Sequence, residues 1–108
     1  MAAAATGGPS DPAIISRRYG RTMPEISRFF GIVVRMHFAD HEPPHFHALY
    51  GEHEVEIALD GPRVLRGHLP PRALGLTMEW AAGHGDELLV DWDLASAQQP
   101  LNRIDPLR

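Results

Sequence analysis

The chain has 108 residues, enough for one compact domain with one hydrophobic core, so any function must lie at a single site or on a partner surface. It contains no Cys, which excludes disulfides and thiolate metal sites and leaves His, Asp and Glu as ligands for a transition metal. Its net charge of -4 and its lack of Lys argue against nucleic acid as a partner, because non-specific binding to phosphates needs a broad positive field.

Residues 1–22 differ in composition from the rest of the chain. They are rich in Ala and Gly and then in Arg, without the apolar core of a signal peptide and without a run long enough to span a membrane. We therefore predict a flexible N-terminal extension over residues 1–22 and a single domain over residues 23–108. We also expect a cytoplasmic location and no membrane association.

Alternating apolar and polar residues predict a series of β-strands. The predicted strands are residues 31–38, 45–50, 53–60 and 63–69. Pro43 and Pro44 lack the N–H that a central strand donates, so the chain must turn between the first two strands. The Asp60-Gly61 pair is typical of a hairpin turn. The inward apolar residues of these strands are Ile32, Val34, Met36, Phe46, Val55, Ile57 and Leu65.

Two amphipathic helices are predicted after the strands. Residues 72–82 and 86–97 carry apolar side chains at the 3.6-residue spacing of a helix. Pro70 and Pro71 suit a first helical turn, where a missing N–H costs nothing. The apolar faces of the helices need a surface to cover, and the inward face of the sheet provides one. The sequence therefore predicts an α+β fold, in which an antiparallel sheet of about four strands is covered on one face by two C-terminal helices.

The opposite face of the predicted sheet gathers most of the chemistry. Its polar residues are Arg35, His37, His45, His47, Glu54, Glu56, Arg66 and His68. His45 and His47 are two residues apart on one strand, so both imidazoles point to the same side, and His37 can join them from the neighbouring strand. Three such ligands with an open water position would suit a divalent transition metal.

Other uses of the same residues stay open. His45 and His47 could act as acid and base with Glu54 or Glu56 as the orienting carboxylate, because His titrates near neutrality. They could equally be polar residues on a solvent face, or partner contacts.

The arginines and the remaining histidines have simpler interpretations. Arg35 and Arg66 could contact an anion or a partner, or could pair across strands with the carboxylates of residues 54 and 56. His41, His53 and His84 lie in or beside turns and are interpreted as solvated.

Several stretches of the sequence resemble a known family. They include Asp-His-Glu-Pro-Pro-His-Phe-His over residues 40–47, Leu-Pro-Pro-Arg-Ala-Leu over 69–74 and Glu-Leu-Leu over 87–89, within a match from Met23 to about Leu107. These strings are similar to those of the small bacterial family catalogued as domain of unknown function 4160. The resemblance implies a short cytoplasmic protein, often encoded beside another small gene in an arrangement similar to toxin–antitoxin pairs, and it brings no established reaction.

Three functional hypotheses follow. The first is a non-enzymatic binding protein whose His-rich face holds a protein partner or a second copy of the chain, together with a divalent transition metal. The second is a small metal-dependent or His-based enzyme that uses His37, His45 and His47. The third is a toxin-like protein that acts on RNA, with a His as general base and Arg35 or Arg66 against phosphate.

Overall fold

The structure, a computed structural model, describes residues 23–108 and consists of five strands followed by two helices. The strands are β1 (Glu25–Phe29), β2 (Ile32–Arg35), β3 (His45–Tyr50), β4 (His53–Ala58) and β5 (Arg63–Gly67), and the helices are α1 (Pro71–Gly83) and α2 (Gly85–Ser96). The predicted flexible extension, residues 1–22, lies outside the described residues.

The strands form one antiparallel sheet in which each strand pairs with its neighbour in sequence, in the order β1-β2-β3-β4-β5. Short turns account for this order, because Phe29 pairs with Ile32 across one two-residue turn and Tyr50 pairs with His53 across another. The predicted α+β class with two C-terminal helices is confirmed, and the sheet has one strand more than alternation predicted.

The additional strand, β1, was not predicted because it contains a bulge. Its register with β2 shifts between Glu25 and Ser27, so Ile26 and Ser27 are both buried although they are consecutive. A bulge sets two residues against one on the partner strand and interrupts the period of two on which the prediction depends.

A second bulge overturns one predicted core residue. Ile57 pairs with Val64 and Glu56 pairs with Arg66, so Leu65 is the extra residue between the two pairs. Leu65 is only half-buried and lies outside the core, whereas the sequence predicted that it points inward. The strand is also shorter than predicted, ending at residue 67.

The core lies between one face of the sheet and the two helices. The Trp80 ring of α1 lies 5.4 Å from the Phe29 ring and 5.8 Å from the Phe46 ring, measured between centroids. Leu88 and Trp92 of α2 are buried in the same cluster. The sheet residues predicted to point inward and found fully buried are Ile32, Val34, Met36, Phe46, Val55 and Ile57. Removal of this shared apolar surface from water is the main stabilising term of such a fold. Neither described helix has the length and apolar character needed to cross a membrane.

The tail after α2 is tied to earlier elements. The Ile104 N–H donates to the carbonyl oxygen of Ile26 at 2.8 Å, which covers the outer edge of β1. The Asn102 N–H donates to Asp91 Oδ1 at 2.9 Å, and the Trp80 indole N–H donates to the main chain of Asp105 at 2.8 Å. The tail therefore links both helices to the sheet.

The other face of the sheet is not open along its whole length, contrary to the prediction. His45 and His47 were expected on a solvent-facing side, yet they are 1% and 5% exposed. The loop over residues 36–44 contacts both side chains through Asp40, and the Trp92 ring of α2 lies 5.4 Å from the His45 ring.

Candidate functional site

The loop between β2 and β3 folds back over the beginning of β3. The Ala39 N–H donates to the carbonyl oxygen of Ala95, near the end of α2, at 2.9 Å. At the other end of the loop, the Leu59 N–H donates to the carbonyl oxygen of Pro44 at 3.0 Å. Both anchors are main-chain groups, so the backbone fixes the path that carries Asp40 onto the side chains of β3.

Asp40 lies at the centre of the polar cluster. Its Oδ2 is 2.9 Å from His45 Nε2 and 3.5 Å from His47 Nε2, and its Oδ1 accepts a hydrogen bond from the His41 N–H at 2.8 Å. The His45 and His47 rings point to the same side of the strand, with centroids 5.2 Å apart. One carboxylate therefore faces two imidazoles.

The far nitrogens of these imidazoles fix how the rings are oriented. His45 Nδ1 lies 2.7 Å from the carbonyl oxygen of Pro43, which can only accept, so Nδ1 carries the hydrogen. His47 Nδ1 lies 2.9 Å from Glu54 Oε2 and donates to that carboxylate. When either ring is neutral, its bare nitrogen is therefore Nε2, the atom that faces Asp40.

His37 and His41 complete the cluster. The His37 ring meets the His47 ring edge-on at a centroid distance of 4.8 Å, and the His41 ring lies 5.3 Å from the His45 ring. Ligand atoms of His37, Asp40 and His47 lie within 4.8 Å of one another, as do those of Asp40, His41 and His45. The cluster thus contains two overlapping sets of three possible metal ligands that share Asp40.

The charges of the cluster stabilise its ionised carboxylates and the protonated form of His47. Burial lowers the pKa of His47, but hydrogen bonds with Glu54 and Asp40 outweigh it and raise the pKa above its ordinary value. The hydrogen bond from His47 lowers the pKa of Glu54 against the opposing effect of burial. Burial also raises the pKa of Asp40, yet the His41 N–H and the charge of His45 lower it overall.

The two carboxylates considered as orienting groups for the histidines, Glu54 and Glu56, occupy different positions. Glu54 hydrogen-bonds His47 directly, whereas the Glu56 Oε1 atom is 4.0 Å from His45 Nε2. Glu56 instead pairs with Arg66 at 3.3 Å. The structure therefore brings Glu54 into the cluster and leaves Glu56 at its margin.

The predicted anion contacts, Arg35 and Arg66, both reach acceptors of the chain itself. Arg35 Nη1 donates to the carbonyl oxygen of Met23 at 2.9 Å, and Arg66 pairs with Glu56 as described. A cleft of about 300 Å³ opens beside Arg66. Its lining residues are Glu54, Glu56, Arg66 and Gly67.

The sequence pattern does not identify Asp40 as a site residue, and it predicts that His41 is solvated. The His41 side chain is indeed 66% exposed, but its Nε2 lies 3.6 Å from Asp40 Oδ1. The chain reversal predicted at Pro43-Pro44 indicates that Asp40 and His41 lie near β3, because a turn between antiparallel strands brings together the residues before and after it. The direction of the Asp40 side chain depends on the loop backbone, including Ala39 with φ +51°, and strand patterning does not specify that path.

The fold and this cluster define a small α+β protein whose loop holds a carboxylate against a group of histidines. The family model described as "Domain of unknown function (DUF4160)" matches residues 31–93, and the chain belongs to this family. The matched range includes the whole cluster, from His37 to Glu54, whereas β1 and the C-terminal tail lie outside it. No curated protein and no solved structure matches the chain.

Proposed function

We propose that the chain is a binding protein that holds a divalent transition metal at Asp40, either with His41 and His45 or with His37 and His47. The observation that carries the proposal is the contact between Asp40 Oδ2 and His45 Nε2, which are 2.9 Å apart although Nε2 makes no hydrogen bond within the described chain. The distance of 2.9 Å would allow a hydrogen bond between these two atoms, so it is the direction of the contact that rules one out. In its neutral form His45 presents a lone pair to the carboxylate, and a cation between the two acceptors would relieve their repulsion.

The spacing of the ligand atoms supports a shared metal ion. Two atoms bound side by side to one zinc ion lie about 3 Å apart, because each bond to nitrogen or oxygen is about 2 Å long. In the first set the distance from Asp40 Oδ2 to His45 Nε2 is 2.9 Å, and in the second set the distance from Asp40 Oδ2 to His47 Nε2 is 3.5 Å, and both agree with this spacing. Metal-bound histidines usually donate their other N–H to a carbonyl or carboxylate, the roles that Pro43 and Glu54 have here.

The donor set indicates the class of metal. Imidazole nitrogen with carboxylate oxygen suits Zn²⁺, Ni²⁺, Fe²⁺ or Cu²⁺ better than Ca²⁺ or Mg²⁺, which prefer oxygen alone. The third protein ligand would be His41 in the set with His45, or His37 in the set with His47. Coordination positions beyond these would be open to water or to a group from a partner.

Elemental analysis of the untagged full-length protein tests the proposal. After exposure to zinc, nickel, iron and copper and removal of free metal, the parent should retain close to one metal per chain. The His45→Ala, His47→Ala double variant should lose it while keeping a native circular-dichroism spectrum.

A matched control uses the exposed pair His53 and His68, whose ring centroids are 5.5 Å apart. The His53→Ala, His68→Ala variant should retain the metal, because no carboxylate within residues 23–108 pairs with either ring. A metal-free parent, or equal loss in both double variants, would remove the proposal.

A metal-dependent enzyme is the second candidate, and the cleft beside the cluster is the observation that favours it. Glu54 and Glu56 line this cleft of about 300 Å³, and each of them also lies beside a histidine of the cluster. A substrate bound in the cleft would therefore lie close to the proposed metal. The test is hydrolysis of nitrophenyl esters and phosphodiesters by metal-loaded protein. Activity that disappears in Arg66→Gln while metal is retained would favour the enzyme, and inactivity on every substrate would favour the binding protein.

The family resemblance supports a further part of the proposal, namely a cytoplasmic protein that acts with a partner encoded beside it. Co-expression with the neighbouring gene, followed by co-purification, tests this part. We also propose that residues 23–108 are a single domain, since their strands share one sheet and one core with both helices. The RNA-acting hypothesis gains no support, because the arginines that it needs, Arg35 and Arg66, contact acceptors of the chain.

A further inference from the structure

The turn between β1 and β2 contains an aromatic residue, Phe30, in a backbone conformation that is unfavourable for a bulky side chain. Phe30 has φ +50° and Gly31 has φ +82°, the signs of a type I′ hairpin turn, in which Asn and Gly are the preferred residues. A bulky side chain with positive φ is an outlier, and Phe30 is also 56% exposed. Burial of the Phe30 side chain therefore contributes little stability to offset the cost of its backbone conformation.

Phe30 lies at the rim of a cleft of about 310 Å³ on the side of the turn. The cleft is lined by Phe30, Tyr50, Pro70, Arg72, Ala73 and Leu76. The Tyr50 ring lies against the turn, since a Cβ on Gly31 would be 3.2 Å from its Cε1 atom. A concave, largely apolar wall with a single charged group is typical of a recognition site.

The charged group is Arg72, in the first turn of α1. No carboxylate within residues 23–108 pairs with Arg72, and the first turn of α1 contains no acidic residue. The N-terminus of a helix is already electropositive, so an arginine there adds to a positive potential that the described chain leaves uncompensated. The electrostatics of the cleft thus favour a ligand with a negative charge beside its apolar part.

We propose that this cleft binds an acidic peptide segment of a protein partner, with an apolar side chain between Phe30 and Tyr50 and a carboxylate beside Arg72. A second copy of the chain fits less well, because a two-fold contact brings the same patch onto itself and places Arg72 near its own copy. This proposal is independent of the metal site, which lies at the opposite end of β2 and β3.

Nuclear magnetic resonance titration of the ¹⁵N-labelled full-length protein tests the site with three blocked tetrapeptides. The probe Glu-Leu-Phe-Glu carries both recognition features, Gln-Leu-Phe-Gln lacks the charge, and Glu-Ser-Ser-Glu lacks the apolar side chains. Only the first should give saturable shifts at the amides of residues 29–31 and 72–76. Arg72→Gln should weaken its binding at least about 10-fold, as expected for loss of a charge-assisted hydrogen bond.

The Phe30→Asn variant distinguishes a role of Phe30 in peptide binding from a role in the stability of the turn. Asn suits the turn, so this variant should be at least as stable as the parent, yet it should lose the saturable shifts. Equal binding of the charged and uncharged apolar peptides, or unchanged binding by Phe30→Asn, would overturn the proposal. A parent that dimerises by sedimentation and becomes monomeric in Phe30→Asn would also overturn it, because a second copy would then occupy the cleft.

Discussion

Asp40 and Asp91 are two aspartates withdrawn from solvent, and the Oδ1 of each accepts one backbone N–H. The donor is His41 at 2.8 Å for Asp40 and Asn102 at 2.9 Å for Asp91. Their pKa values nevertheless move in opposite directions. Burial raises the pKa of Asp91 and outweighs the bond from Asn102, and Glu87 adds to the rise. Burial acts in the same sense on Asp40, but its neighbours lower the pKa overall.

The second oxygen of each carboxylate accounts for the difference. Asp40 Oδ2 faces the imidazoles of His45 and His47, whereas Asp91 Oδ2 has no hydrogen-bond partner among the described residues. One backbone N–H therefore does not hold the pKa of a withdrawn carboxylate below its ordinary value, whereas neighbouring groups that can carry positive charge do. The surroundings of Asp40 suit a cation, while those of Asp91 serve to hold the C-terminal tail.

The largest effect is expected when Asp40 loses its charge. Asp40→Asn should weaken metal binding at least about 100-fold, because it replaces a ligand, and even outer-shell changes cost about 10- to 100-fold. The amide oxygen can still accept from the His41 N–H, so the loop should keep its path. Competition with a chromophoric chelator at neutral pH measures the affinity.

Asp91→Asn makes the same chemical change away from the cluster and should leave metal affinity as in the parent. If both variants lose affinity equally, the effect of Asp40 acts through stability. If Asp40→Asn binds metal like the parent, Asp40 is not a ligand.

Most of the fold could be predicted from the sequence, because burial on one face imposes a period of two on the strands and 3.6 on the helices. The predictions failed where a bulge broke that period, in β1 at Ile26 and in β5 at Leu65. At Leu65 this failure left outside the core a side chain that was predicted to lie in it.

The candidate site could be predicted only in part, because alternation describes the residues of strands and not those of loops. His45 and His47 share a strand, so their common direction follows from alternation. Asp40 belongs to a loop, and its position depends on hydrogen bonds with Ala95 of α2 and with Leu59, just after β4, both distant in sequence. Such tertiary contacts leave no periodic trace in a single sequence.

A smaller effect, on stability, is expected at Asp91. Asp91→Ala leaves the Asn102 N–H without its acceptor and should lower the free energy of unfolding by about 1–3 kcal/mol in urea titrations. Asp91→Asn should cost less, because its amide oxygen can still accept that hydrogen bond. Equal losses in the two variants would mean that the tail does not depend on this bond.

The pH dependence of the Asp91→Asn variant tests the charge directly. The folded-state pKa of Asp91 is raised above its ordinary value of 3.8, so the folded state binds this proton more tightly than the unfolded chain. The contribution of Asp91 to stability therefore falls as pH rises from 3.8 through the raised pKa. Relative to the parent, Asp91→Asn should gain stability over that range, and a constant difference would contradict the comparison.

The smallest effect is expected at Glu25, a carboxylate with permanent cations as neighbours. The hydrogen bond from Arg28 is the main cause that lowers the pKa of Glu25 from 4.5 to about 2, and Arg103 on the tail adds to it against the opposing effect of burial. Both arginines are largely exposed, so Glu25→Gln should cost only about 1 kcal/mol at neutral pH.

The sign of the pH dependence at Glu25 is opposite to that at Asp91. A lowered folded-state pKa stabilises the fold above pH 4.5, and the stabilisation is lost as the pH falls towards 2. Urea unfolding of the parent and of Glu25→Gln should therefore converge in stability between these two values. If the difference in stability stayed constant down to pH 2, Glu25 would stabilise the tail by packing rather than by charge. Neighbouring cations would then control the ionisation of Asp40 but not that of Glu25.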